Sequence, residues 1–145
     1  MSKVMIMMGS KSDMDIMKKA QDFLTEVGVE SRIEVASAQR NPERVHNISK
    51  EVEQDYDVVI AGAGMAAHLA GVMASLVTKP VIGVPINASL NGLDSLLSVS
   101  QMPPGIPVAT VAINGAKNAA ILALEIMALS LSLIHISEPT RRPII

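Results

Sequence analysis

The 145-residue sequence contains no cysteine and no tryptophan, and its only aromatic residues are Phe23 and Tyr56. The absence of cysteine excludes a disulfide framework and a thiolate metal site, and it fits a reducing compartment. Since 49% of the chain is nevertheless hydrophobic, the core must be built from aliphatic residues and methionine. We expect the 10 methionines to fill gaps in this core and in contacts between subunits.

Positive charge is not in excess, because 12 Lys and Arg residues stand against 14 Asp and Glu residues. The net charge of −2 and the absence of a basic stripe argue against a nucleic acid partner. The start of the chain lacks a signal-peptide hydrophobic region, and the apolar stretch Ala119–Ile136 has helical spacing interrupted by Glu125 and serines. We therefore expect a cytoplasmic protein without a membrane partner.

Patterns typical of strands and helices alternate along the chain. The predicted strands are Lys3–Met8, Glu30–Ala36, Asp57–Ala61, Pro80–Val84 and Ile106–Ile113. The predicted helices run from Ser12 or Asp13 to Val27, and over Pro42–Gln54, Ala66–Leu76, Asn91–Val99 and Ala116–Leu129. Short connections between these elements require right-handed crossovers. The sequence therefore predicts the α/β fold class, as a single doubly wound, flavodoxin-like domain with a parallel five-stranded sheet over residues 1–129.

Small polar residues follow each of the first three predicted strands. These segments are Gly9–Asp13, Ser37–Pro42 and Gly62–His68. Because the carboxyl ends of parallel strands lie side by side, the three loops are expected to meet at one crevice. Backbone N–H groups, hydroxyls, one guanidinium and one imidazole suit an anionic ligand. The pattern indicates an enzyme that acts on a small molecule.

Two of these loops allow alternative interpretations. Ser10 and Ser12 can bind a phosphate or a ring substituent and Asp13 a sugar hydroxyl, or Ser12 and Asp13 only cap the following helix. Arg40 precedes a helix opened by Pro42, where a guanidinium can bind phosphate through two hydrogen bonds. Alternatively, Arg40 is a surface residue that pairs with Glu43.

The third loop contains two glycines, Gly62 and Gly64, that permit close approach of the backbone to a ligand. His68 is the only imidazole on these loops, and both a catalytic and a structural role remain open for it. Asn87–Gly92, after the fourth strand, is expected to form a wall or lid. Three histidines without clustered carboxylates predict no metal site.

Four segments resemble the PurE family of purine biosynthesis. They are MGSKSD at Met8–Asp13, SAQRNP at Ser37–Pro42, AGAGMAAHLAG at Ala61–Gly71 and NGLDSLLSVSQMPPGIPVATVAI at Asn91–Ile113. The resemblance implies a three-layer α/β/α fold and a homo-octamer with sites near the subunit interfaces. It also implies conversion of 5-carboxyaminoimidazole ribonucleotide to 4-carboxyaminoimidazole ribonucleotide without a metal or an organic cofactor.

The resemblance also implies roles for individual residues. Ser10 and Arg40 would hold the phosphate of the ribonucleotide and Asp13 its ribose, while His68 would lie beside the imidazole ring. The implied substrate-binding residues are Ser10, Ser12, Asp13, Ser37, Arg40, Gly62, Ala63 and Gly64.

One position departs from the family pattern, because the motif SAHR reads SAQR here and Gln39 replaces the histidine that shuttles a proton. An amide does not exchange a proton at neutral pH, whereas an imidazole does. The predicted catalytic residues are therefore His68 and Gln39: His68 or a water has taken over the shuttle, or the enzyme is slow, or its reaction is a related one. An aminoimidazole ribonucleotide carboxylase and a ribonucleotide-binding protein without catalysis are the alternative functions.

The end of the chain differs from the rest. Residues 130–145 lose the helical pattern, and Leu131–Arg141 (LSLIHISEPTR) resembles the translated read-through of a transposase-type sequencing adapter. We therefore expect a non-native tail in place of the authentic C-terminus. The preceding helix, Ala116–Leu129, is a candidate subunit contact, and packing within the core is the compatible alternative.

Overall fold

The computed structural model describes residues 3–130. Its parallel sheet contains β1 (Lys3–Met8), β2 (Glu30–Val35), β3 (Val58–Gly64), β4 (Val81–Ile86) and β5 (Ala109–Thr110). The order across the sheet is β2-β1-β3-β4-β5, and each neighbouring pair is parallel. This arrangement confirms the predicted flavodoxin-like α/β fold with its five-stranded sheet.

Helices cover both faces of the sheet. They are α1 (Met14–Glu26), α2 (Pro42–Asp55), α3 (Leu69–Leu76), α4 (Leu93–Ser100) and α5 (Ala116–Met127), with short 3₁₀ turns at Lys11–Asp13 and Leu90–Gly92. None of them is long and apolar enough to cross a bilayer within the described residues.

Successive side chains of β1 point to opposite faces of the sheet and pack into two separate cores. Val4, Ile6 and Met8 pack in the cluster that contains α1 and α5, while Met5 and Met7 pack in the cluster that contains α2 and α3. All five side chains are fully buried, as expected for a strand covered on both faces. The three-layer architecture and the use of methionine in the core are thereby confirmed.

β3 and β5 differ most in extent from the prediction, and β4 runs two residues further, to Ile86, than the predicted Val84. β3 continues through Gly62–Gly64, a segment predicted to be a loop, and these residues pair with Val84–Ile86 of β4. A Cβ atom at Gly62 would lie 2.4 Å from Sδ of Met17, so glycine lets α1 pack closely on this part of the strand. β5 is limited to Ala109–Thr110, and Pro107 supplies no N–H for a ladder before it. Beyond it, the N–H groups of Val111 and Asn114 still donate to the carbonyls of Gly83 and Pro85 in β4, at 3.2 and 2.7 Å.

Helix ends follow local chemistry. Gly28 ends the α1 turn at φ +80°, and Pro42 opens α2, both as predicted. Helix α4 begins at Leu93 and not at the predicted Asn91, because Asn91 and Gly92 have φ of +55° and +84°.

Helix α5 belongs to the core, and its buried residues pack against α1 and the sheet. They are Ala116, Ala119, Ala120, Ile121, Ala123, Leu124 and Met127. The expected non-native tail lies outside the described residues, apart from Ser130.

Candidate active site

A cavity of about 500 Å³ opens at the carboxyl ends of β1, β2 and β3. Its wall is formed by Gly9, Ser10, Ser12, Asp13, Ser37, Ala38, Gln39, Arg40, Ala63, Gly64, Met65, Ala66, His68, Leu69 and Ala88. The structure thus brings together every predicted site residue except Gly62. Gly62 faces Met17 of α1, and its lack of a side chain serves helix packing.

The first loop presents two hydroxyls to the cavity. Oγ of Ser10 accepts a hydrogen bond from the backbone N–H of Ser12 at 3.3 Å and lies 2.9 Å from Oγ of Ser12. Ser10 is therefore the N-cap of the 3₁₀ turn that precedes α1. One hydroxyl proton of the pair stays available to an anionic ligand.

Asp13 is a buried carboxylic acid on the cavity wall, with 8% of the residue exposed. Burial raises the pKa of Asp13, and a hydrogen bond with the Ser10 backbone opposes part of that rise. Asp13 occupies the N-cap position of α1, but its side chain makes no cap hydrogen bond. The interpretation of its side chain as a helix cap is therefore wrong, and the carboxyl group remains available to a ligand.

The second loop is a tight turn organised by Ser37. Oγ of Ser37 accepts hydrogen bonds from the backbone N–H groups of Gln39 at 3.3 Å and Arg40 at 3.2 Å. The N–H of Ser37 in turn donates to Oδ1 of Asn41 at 3.4 Å. Ser37 thus holds the backbone from which the side chains of Gln39 and Arg40 extend.

The guanidinium of Arg40 reaches the first loop, where Nη2 donates to the carbonyl oxygen of Gly9 at 2.8 Å. No ion pair joins Arg40 to Glu43, although both residues lie within the described chain. The interpretation of Arg40 as the surface partner of Glu43 is therefore wrong.

The third side of the cavity is formed by the end of β3 and the turn before α3. A Cβ atom at Gly64 would lie 2.8 Å from Cβ of Ala88, so glycine allows the segment after β4 to close this side. Ala88 is the part of the predicted Asn87–Gly92 wall that lines the cavity. Leu69 also lines it, and no polar or glycine signal in the sequence marked this residue.

A hydrogen bond joins the second loop to the third. Nε2 of Gln39 lies 2.7 Å from Nδ1 of His68, and both side chains are exposed to the cavity. The two residues predicted to be catalytic are therefore in direct contact. This contact could not be predicted from local pattern, since 29 positions separate the two residues.

The chemistry of the wall suits a phosphorylated small molecule. Arg40 and the hydroxyls of Ser10 and Ser12 are donors to an anion. Among the cavity residues, His68 carries the type of side chain that ordinarily exchanges a proton near neutral pH. No group of three or more His, Asp and Glu side chains within residues 3–130 is arranged to hold a metal ion.

Comparisons with known proteins identify clear relatives. The family model described as AIR carboxylase matches residues 3–137. An N5-carboxyaminoimidazole ribonucleotide mutase from Methanocaldococcus jannaschii is 61% identical over 126 residues, which cover 87% of this chain and 79% of the relative. The protein of that name from Pyrococcus abyssi is 58% identical over 131 residues, which cover 89% of this chain and 75% of the relative. The crystal structure of Treponema denticola PurE matches with a TM-score of 0.83 at 30% identity, over 99% of this chain and 90% of that chain.

Proposed function

This chain belongs to the AIR carboxylase family, and we propose that it is an enzyme that converts 5-carboxyaminoimidazole ribonucleotide to 4-carboxyaminoimidazole ribonucleotide in purine biosynthesis. The reaction is the one for which its relatives at 58% and 61% identity are named. The observation that carries the proposal is the single cavity shared by Ser10, Asp13, Arg40 and His68.

Each polar group has a role in binding the ribonucleotide. Arg40 and Ser10 bind the phosphate, where each charge-assisted hydrogen bond is worth about 1.5–3 kcal/mol. The carboxyl of Asp13 accepts a hydrogen bond from the ribose, and Ser37 orients Arg40 through its bond to the backbone. Ala63 and Gly64 form the part of the wall against which the base lies.

The test is turnover of synthetic 5-carboxyaminoimidazole ribonucleotide, followed by ultraviolet absorbance and by chromatography of the product. We expect product from this compound, and little from 5-aminoimidazole ribonucleotide supplied with carbon dioxide at the same concentration. Faster turnover of the second mixture would indicate a carboxylase instead. Tight calorimetric binding of a product analogue without turnover of either substrate would indicate a ribonucleotide-binding protein.

The amide at position 39 should limit the rate. Loss of a general acid–base group typically lowers rates by about 10²–10⁴-fold. We therefore expect Gln39→His to raise kcat, because a second imidazole would then exchange protons beside His68. An unchanged kcat would show that position 39 does not correspond to the proton-shuttle position of the family.

We also propose that the chain acts as a homo-octamer in the cytoplasm. Leu90, Leu93 and Leu97 are 73%, 54% and 48% exposed, and their spacing puts Leu93 and Leu97 on one face of α4. Exposed apolar surface of this kind is typical of a contact between subunits. Light scattering should give the octamer mass for the wild-type chain, and Leu93→Glu with Leu97→Glu should reduce it. A wild-type monomer would contradict the proposed octamer. Fractionation of cells tests the proposed cytoplasmic location.

A further inference from the structure

The bond between Gln39 and His68 constrains the protonation of the imidazole. An amide nitrogen donates and does not accept, so Nδ1 of His68 must accept the 2.7 Å hydrogen bond from Nε2 of Gln39. The neutral ring then carries its proton on Nε2. If the amide group of Gln39 rotates by half a turn, its oxygen Oε1 accepts a hydrogen bond from a protonated Nδ1 instead. Gln39 can therefore keep the bond to His68 in either protonation state.

The bond also decides which ring nitrogen meets a ligand. Nδ1 is engaged by Gln39, so Nε2 is the nitrogen that remains for a molecule in the cavity. The other ionisable side chains on the cavity wall are Asp13 and Arg40. A guanidinium does not release its proton in proteins, and Asp13 lies on the first loop, at the start of α1.

We propose that Gln39 is a positioning residue for His68, and that Nε2 of His68 exchanges the proton during the isomerisation. The inference rests on the proposed function, and it assigns to His68 the step that an amide at position 39 cannot perform.

A single nitrogen, Nε2 of His68, both gives and receives the proton in this reaction. Imidazolium His68, with Nδ1–H donated to Oε1 of Gln39, gives its Nε2 proton to the amino nitrogen of the substrate. The bond between that nitrogen and the carboxyl carbon breaks, its electron pair stays on nitrogen, and carbon dioxide is released. The ring is then transiently neutral with its proton on Nδ1, still donated to Oε1 of Gln39, so Nε2 is free to accept a proton. The C4 ring carbon forms a bond to carbon dioxide and loses its proton to Nε2. The imidazolium is restored, and no oxidant or further reactant is needed.

Kinetics separate a positioning residue from a merely structural one. We expect His68→Asn to lower kcat by about 10²–10⁴-fold and Gln39→Leu to lower it by about tenfold with KM little changed. Gln39→Glu should move the alkaline limb of the kcat profile to higher pH, because a carboxylate favours the imidazolium. His46→Asn, on the exposed side of α2, is the matched control and should behave as wild type. Wild-type kcat in His68→Asn, or a wild-type pH profile in both Gln39 variants, would overturn the proposal.

A second readout does not depend on turnover. In protein labelled with ¹⁵N-histidine, at a pH where the ring is neutral, we expect His68 to carry its proton on Nε2 in the wild type. In Gln39→Glu it should carry the proton on Nδ1, since a carboxylate only accepts. The His68→Asn spectrum assigns the signal. The same tautomer in both proteins would overturn the positioning role. If no protein turns over the carboxyamino substrate, the proposed function fails while the tautomer comparison still decides the role of Gln39.

Discussion

Arg40 donates a hydrogen bond from Nη2 to the carbonyl oxygen of Gly9, which ties the turn after β2 to the end of β1. A guanidinium has five N–H donors, so most of them remain for a ligand after this bond is made. The bond holds the long side chain in place before the ligand arrives, which reduces the entropy lost on binding.

Replacement of Arg40 should therefore weaken substrate binding more than chemistry. We expect Arg40→Met to raise KM by about 10–100-fold, corresponding to one or two charge-assisted hydrogen bonds, with a smaller change in kcat. Arg40→Lys should lie between this variant and wild type, since lysine keeps the charge without the planar fork. Arg44→Lys is the control, because Arg44 pairs with Glu34 and donates to the carbonyl of Val35 outside the cavity. Equal KM values for Arg40→Met and wild type would contradict the assignment.

Asp13 should make stability depend on pH. Its raised pKa means that the folded chain favours the protonated acid, so its contribution lowers the free energy of unfolding as pH rises from its ordinary value of 3.8 through the raised pKa. Asp13→Asn removes this loss, and we expect higher urea resistance than wild type at neutral pH.

The advantage of Asp13→Asn should vanish below pH 3.8, where both states bind the proton. Urea unfolding at a series of pH values measures this, with Asp15→Asn, at an exposed residue of α1, as the control. The same variant should raise KM by about tenfold or more through loss of the ribose contact. A stability gain that persists unchanged at low pH would contradict the explanation.

Two glycines distinguish rigid from adaptable packing. A Cβ atom at Gly83 would lie 2.3 Å from Cγ1 of Val99, and a Cβ atom at Gly62 would lie 2.4 Å from Sδ of Met17. The valine is branched next to its backbone and cannot move away, whereas the methionine has three rotatable side-chain bonds. We expect Gly83→Ala to lower the free energy of unfolding by about 1–3 kcal/mol and Gly62→Ala to cost less. Urea titration of the two variants gives the order, and the reverse order would contradict the argument.

Ser95 carries a polar group that the fold leaves unsatisfied. Its residue is fully buried in α4, and its Oγ has no hydrogen-bond partner within residues 3–130. Because such a group costs about 1–3 kcal/mol, Ser95→Ala should raise the free energy of unfolding by about 1 kcal/mol. Ser98→Ala is the control, since Oγ of Ser98 donates to the carbonyl of Asp94 at 2.8 Å. A loss of stability in Ser95→Ala would show that the hydroxyl is satisfied in the assembled protein.

Much of the fold could be predicted from local pattern. The apolar run at Lys3–Met8, the glycine at Gly28 and the proline at Pro42 each act over a few residues, and the structure has the expected element at each. The convergence of the three loops also followed, because parallel strands bring their carboxyl ends together at one edge.

What could not be predicted depends on contacts between distant parts of the chain. The two-residue length of β5 depends on its pairing with β4, and the bond between Gln39 and His68 depends on how the turn after β2 faces α3. Gly62 looks like a loop glycine in the sequence, yet Met17 determines the need for it. No local pattern contains this information.

The extension of β3 has a consequence for motion at the cavity. Ala63 and Gly64 line the cavity and are also paired with Pro85 and Ile86 in the sheet. This wall cannot open without breaking hydrogen bonds between β3 and β4. The backbone amides of this wall should therefore exchange as slowly as those of the most protected strands. Opening of the cavity, where it occurs, must come from its other walls, which are the turns after β1 and β2, the turn before α3 and the segment after β4.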